Sequence, residues 1–181
     1  MEAPDSVVGE AVIEDLLTCA AGTPLGAFVE VGVYKGGTAH RLHQLALSQG
    51  RQLYLYDTFT GLPFQDECDS MRVGDFADTD LAQVQEACPR AVITQGIFPG
   101  TALAEMGLIA FVHLDVDQYR SYQGALAYLI PRLQSGAVIW LDDYGYLLGA
   151  TIACDEAVKK FGLDLSSAAC NKKFIRIDKC L

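Results

Sequence analysis

Residues 27–38 read AFVEVGVYKGGT, a compact apolar run that stops at glycine and passes into a helical stretch ending near residue 49. A short, continuous apolar run of this kind is a strand buried on both faces, because a strand with one wet face would alternate. Similar runs recur along the chain: QLYLYD at 52–57, closed by the turn-forming TFTGLP, then AVITQ at 91–95, LIAFVHLDVD at 108–117 and AVIWLDD at 137–143. Helical stretches separate them. One covers 79–88, with Thr79 or Asp78 as N-cap and Cys88–Pro89 as its stop. Another covers 121–133, with a proline that kinks or ends it near residue 130, and a third covers 148–161. Strands alternating with helices predict an α/β fold, a mostly parallel sheet with helices on both faces. LDLSSA and KFIRID, within 162–181, predict a terminal hairpin, and Val7, Val8, Ala11, Val12 and Leu16 predict a short amphipathic helix within 1–26. With no repeat, low-complexity tract or linker, residues 1–181 are expected to form a single domain around the motif-bearing core 27–161.

The composition narrows the function. The chain has 181 residues, 51% of them hydrophobic, and a formal net charge of −10, which excludes a disordered chain and offers no basic stretch for nucleic acid. No apolar run approaches the ~18 residues needed to span a bilayer, and the acidic amino terminus lacks the features of a secretory signal. The six cysteines form no C-x-x-C pair, so reduced thiols and a cytoplasmic location are expected.

In open sheets, ligands bind in the crevice outside the carboxyl ends of the strands. Here those ends carry Glu30-Val-Gly32, Asp57, Asp115-Val-Asp117 and Asp142-Asp143. The loop after the first strand, Glu30 to Thr38, has the spacing G-x-x-x-G-G at Gly32, Gly36 and Gly37. A dinucleotide fingerprint would be G-x-G-x-x-G, so Val33 and Tyr34 stand where a pyrophosphate would need close approach. That spacing argues against an NAD-dependent oxidoreductase. An adenosyl ligand carrying a sulfonium in place of phosphates suits the loop, the acidic Glu30 and an Asp57 placed to accept ribose hydroxyls. The same glycines could also serve only a tight strand-to-helix turn.

Asp115 ends the fourth strand, and Asp142 and Asp143 end the fifth. If those strands are neighbours, three carboxylates converge, repelling one another unless a cation intervenes. An all-oxygen set points to Mg²⁺, Mn²⁺ or Ca²⁺. Asp117, two residues beyond Asp115, shares its side in an extended segment and could take a proton from the acceptor hydroxyl, or could instead cap the helix that follows. His113 is expected to be a buried, satisfied side chain, and His40 is a secondary candidate base. Trp140, Tyr144 and Tyr146 either line an acceptor pocket or serve as core and rim aromatics.

Together VEVGVYKGGT, LYDTFTGLP, GDFADTDLAQV, QGIFPGT, HLDVDQY, PRLQSGAVIWLDDYG and ACDEAVKKF resemble, in order, the motifs of the macrocin O-methyltransferase family. The resemblance covers roughly residues 27–161. It implies a Rossmann-like class I methyltransferase fold of seven strands, the last antiparallel, and an S-adenosyl-L-methionine donor bound by Glu30, Gly32, Gly36, Gly37, Thr38, Asp57 and Asp115. It implies Mg²⁺ at Asp115, Asp142 and Asp143, Asp117 as acceptor base, and a hydroxyl of a sugar or glycosylated natural product as acceptor. A non-catalytic nucleoside-binding module is the alternative. Family members usually carry a longer amino-terminal cover, and Arg120 stands where they commonly have an acidic residue. Cover for the acceptor is therefore expected from a second copy of the chain, as in a homodimer, or from segment 64–75.

Overall fold

A computed structural model describes residues 4 and 6–178. The elements run α1 (Glu10–Ala21), β1 (Ala27–Val31), α2 (Gly37–Ser48), β2 (Leu53–Asp57), α3 (Leu81–Ala87), β3 (Val92–Gln95), β4 (Ile109–Leu114), α4 (Tyr119–Leu129), β5 (Leu133–Leu141), α5 (Leu148–Phe161), β6 (Leu165–Ser167) and β7 (Lys173–Arg176). One seven-stranded sheet has the order β3-β2-β1-β4-β5-β7-β6. Strands β1 to β5 pair in parallel, and β7 is antiparallel to both β5 and β6. The expected hairpin is thus present, and it extends the sheet beyond β5. The order reverses between β1 and β4, which opens the crevice there.

Every position of β1 and β4 is buried, as their unbroken apolar runs require. Alternate residues then serve opposite faces. Phe28, Phe111, Val138 and Trp140 pack toward α1, α2 and α3 with Leu16, Leu42 and Val84. Val29, Val112 and Ile139 pack toward α4 and α5 with Tyr122, Leu126 and Ala153. Each such large side chain contributes about 1.5–3 kcal/mol by leaving water.

Several boundaries differ from expectation for local reasons. Helix α1 begins at Glu10, so Val7 and Val8 precede it, and its buried face is Ile13, Leu16 and Ala20. Asp80, not Thr79 or Asp78, caps α3, accepting the Ala82 N–H at 2.8 Å. Asp78 instead pairs with Lys35 at 2.7 Å, and the Thr79 hydroxyl donates to the Tyr34 carbonyl. Helix α4 starts earlier than expected and ends at Leu129, where Pro131 sits in a 3₁₀ turn spanning Ile130–Arg132. No described helix is long and apolar enough to cross a membrane. The described cysteines, Cys19, Cys68, Cys88, Cys154 and Cys170, are free thiols, and Cys180 lies outside the described residues.

Candidate active site

Strand β1 ends because Gly32 turns left-handed, with φ +89°. A Cβ there would lie 1.6 Å from the Asp115 carbonyl oxygen, so only glycine lets the first loop cross the end of β4. The turn is fixed from β2. Asp57 Oδ2 accepts the Val33 and Tyr34 N–H groups at 2.7 and 2.9 Å, and Oδ1 accepts the Phe59 N–H at 2.7 Å. One carboxylate therefore shapes two loops. Asp57 also lines the cleft, and the Thr58 hydroxyl lies 3.5 Å from its Oδ1.

Gly32, Asp57, Asp115 and Asp117 line that cleft together with Tyr34, Gly96, Ile97, Phe98, Val116 and Ser121. The remaining residues expected to bind the donor lie elsewhere. Glu30 is only 1% exposed, beneath the cleft, with Oε1 3.0 Å from His113 Nδ1. The inward side of β1 at this position faces β4, where Glu30 and His113 are register partners. Gly36 is the left-handed N-cap of α2, and a Cβ there would press on Val84 at 3.1 Å. Gly37 and Thr38 are buried in the first turn of α2, and the Thr38 hydroxyl meets that of Ser6 at 3.2 Å. Those three residues shape the helix start and do not line the cleft.

The aspartates converge as their strand positions required. Asp115, Asp142 and Asp143 each place a carboxylate oxygen within 4.8 Å of the others. Burial, then Asp143 and Asp142, pushes the Asp115 carboxyl well above the ordinary range. Burial and Asp142 likewise raise Asp143. Asp142 goes the other way: against the cost of burial, His113 and Lys172 hold it at about 2. Lys172, from the turn before β7, places Nζ 2.9 Å from Asp142 Oδ2. Asp142 Oδ1 is buried without a hydrogen-bond partner, 3.8 Å from His113 Nε2. That separation is an ionic contact, beyond hydrogen-bond reach. Burial disfavours charge on His113, yet Asp142 and Glu30 raise its pKa well above normal. It is buried as expected, but its partners are both acidic.

Three clustered carboxylates with an orphaned oxygen fit a hard divalent cation. All three ligand groups in the cluster offer carboxylate oxygens.

Asp117 has φ +58°, so it departs from the extended path that would have kept it level with Asp115. Its N–H donates to Asp143 Oδ2 at 3.0 Å, and no described residue donates to its carboxylate. Burial, then Asp143 and Asp142, raises its pKa to about 7. It does not cap α4. Gln118 is the N-cap, and the Tyr119 N–H is taken by Asp69 Oδ1 at 2.8 Å, from a loop 50 residues away in sequence. The loop is further tied down by Gln118 at Phe64 and by an Arg120–Asp66 pair at 2.8 Å. Segment 64–75 thus packs on the start of α4, beside the aspartates. His40 does not line the cleft, and its Nδ1 is 2.9 Å from the Ala87 carbonyl oxygen.

Sequence reasoning missed Tyr122, whose hydroxyl lies 2.9 Å from Asp143 Oδ2 and 2.8 Å from the Leu114 carbonyl oxygen. It also missed Lys172. Both are helix or turn residues that only the folded register brings to the cluster.

The family model described as Macrocin-O-methyltransferase (TylF) matches residues 6–179. A relative from Streptomyces olivaceus, 8-demethyl-8-(2,3-dimethoxy-alpha-L-rhamnosyl)-tetracenomycin-C 4'-O-methyltransferase, is 30% identical across 86% of this chain and 67% of its own length. Among solved structures, the O-methyltransferase NovP aligns with a TM-score of 0.84 at 20% identity, covering 96% of this chain and 82% of NovP. CalS11, a calicheamicin methyltransferase, aligns with a TM-score of 0.79 at 22% identity, covering 92% of this chain and 77% of CalS11. At these identities the structural likeness shows the fold.

Proposed function

Because this chain belongs to the macrocin-O-methyltransferase family, we propose that it transfers the methyl group of S-adenosylmethionine to a hydroxyl of a sugar or glycosylated natural product, with Mg²⁺ at Asp115, Asp142 and Asp143. The observation that carries this reading is the meeting, at one switch point, of a donor-sized cleft, three convergent carboxylates and an unpartnered fourth.

The cleft accounts for the donor. Asp57 borders the cleft where ribose hydroxyls would lie, while Tyr34, Ile97, Phe98 and Val116 supply apolar walls for a purine. The acidic lining suits a sulfonium and disfavours a pyrophosphate. Glu30 acts indirectly: its carboxylate holds His113, which faces Asp142. A cation at the three aspartates would offset their repulsion and lower the pKa of the acceptor hydroxyl.

Asp117 is the proposed base. As the acceptor oxygen attacks the methyl carbon, the carbon–sulfur bond breaks, the sulfonium becomes a neutral thioether, and the hydroxyl proton passes to Asp117. Its carboxylate faces the cleft with lone pairs free, as that role requires. Holding acceptor and donor in line supplies the rest of the rate enhancement.

The test is formation of S-adenosylhomocysteine from a panel of glycosides, polyols and catechols, with Mg²⁺ and again after EDTA. Product that requires both acceptor and Mg²⁺ is expected. Turnover undiminished by EDTA would remove the metal, and none with any acceptor would leave a nucleoside-binding module.

A further inference from the structure

Of the aromatics that flank the aspartate pair, Trp140 is fully buried and Tyr144 donates its hydroxyl to Asp155 at 2.9 Å. Tyr146 is 68% exposed. It stands on a turn whose shape is set from several sides. The Tyr146 N–H donates to the Asp143 carbonyl at 3.0 Å, and Gly145, at φ +83°, donates to Thr151 Oγ1 at 2.9 Å. The Lys172 ammonium sits 4.5 Å from the centre of the Tyr146 ring. The same ammonium is 2.9 Å from Asp142 Oδ2. The Lys172 cation therefore stands over one face of the Tyr146 ring and links that side chain to the carboxylate cluster.

We propose that Tyr146, braced by Lys172, is the platform on which a neutral pyranose acceptor stacks. This rests on the O-methyltransferase reading above. A pyranose combines an apolar face of C–H bonds with hydroxyls projecting from its rim. The C–H face would cover the ring face that Lys172 leaves open, and a rim hydroxyl would project past the ring edge toward the aspartates. The bracing matters because a ring already held in place loses little freedom when the sugar arrives. Among the described residues, Lys172 is already paired with Asp142, so it offers no free charge to an acidic sugar, and a neutral sugar needs none.

Calorimetry and saturation-transfer NMR with methyl α-L-rhamnopyranoside, in the presence of MgCl₂ and S-adenosylhomocysteine, test this. Saturation should reach the sugar's ring C–H protons. Tyr146→Ala should weaken glycoside binding and raise the acceptor KM about tenfold, the scale of one lost stacking contact, with kcat and S-adenosylhomocysteine affinity little changed. Tyr146→Phe should recover the binding that Tyr146→Ala loses. If Tyr146→Ala binds the glycoside as the wild type does while methyl transfer persists, the platform is refuted and the activity stands. If catechols bind with this Tyr146 dependence and glycosides do not, the sugar class is overturned. A wild type that methylates no hydroxyl acceptor and binds no glycoside would remove the underlying reading and the platform with it.

Discussion

The ends of β1 and β2 and the ends of β4 and β5 both present carboxylates to one crevice, yet they treat them in opposite ways. At the β1–β2 end, Asp57 accepts three backbone N–H groups and draws two loops together. At the β4–β5 end, Asp115 and Asp117 receive no hydrogen bond from any described residue, and an oxygen of Asp142 is buried without one. Satisfied carboxylates build architecture. Carboxylates crowded together and left short of donors oppose the fold unless something cationic joins them. Crowding is what sets the β4–β5 end apart, since Glu30 Oε2 in β1 is also buried without a partner but stands away from the three-aspartate cluster.

The largest effect that would break this contrast falls on Asp117. Asn keeps the shape of Asp but is a very poor proton acceptor, and Asp117 caps no helix. Asp117→Asn should therefore lose about 10²–10⁴ in turnover, with melting temperature and donor affinity unchanged. A fully active variant, measured by S-adenosylhomocysteine release, would leave deprotonation to the cation alone.

A smaller effect sharpens the contrast through stability. Asp57→Ala strands three N–H groups that had a charged acceptor, and should cost about 2–3 kcal/mol. For a chain of this size that lowers the melting temperature by about 2–4 °C per kcal/mol. Asp115→Asn, in protein stripped of divalent cations, replaces a carboxyl whose ionised form burial and its neighbours Asp143 and Asp142 disfavour, and should hold or raise the melting temperature. If both variants melt early in EDTA, the two ends are not different in kind.

How much of this was legible in the sequence follows from range. The strands, their order of appearance and the aspartates at their ends are local signals; β1 and β4 lie within their apolar runs, whereas β5 starts four residues earlier than expected, at Leu133. The convergence of Asp115 with Asp142 and Asp143 needed only the assumption that β4 and β5 are neighbours, which they are. What escaped depends on register and on remote loops. Glu30 looked like a ligand residue because it ends an apolar strand, but its partner His113 is chosen by the β1–β4 register. Gly36, Gly37 and Thr38 were read with the cleft, whereas a left-handed helix cap and close packing against α3 account for them. The capping of α4 by Asp69, and the approach of Lys172 to Asp142, join segments far apart in the chain. The left-handed turn at Asp117 is likewise invisible to a period-two argument.

The central claim is that the β4–β5 carboxylates form a cation site and the β1–β2 carboxylate does not. Mn²⁺ binding followed by electron paramagnetic resonance tests it most directly, on the wild type and on Asp143→Asn and Asp57→Asn, without any acceptor or turnover. One Mn²⁺ should bind the wild type, be displaced by Mg²⁺, bind Asp57→Asn about as well, and bind Asp143→Asn at least tenfold more weakly, a loss of about 1.4 kcal/mol or more. Equal Mn²⁺ affinity in the wild type and Asp143→Asn, or no binding to either, would contradict the account.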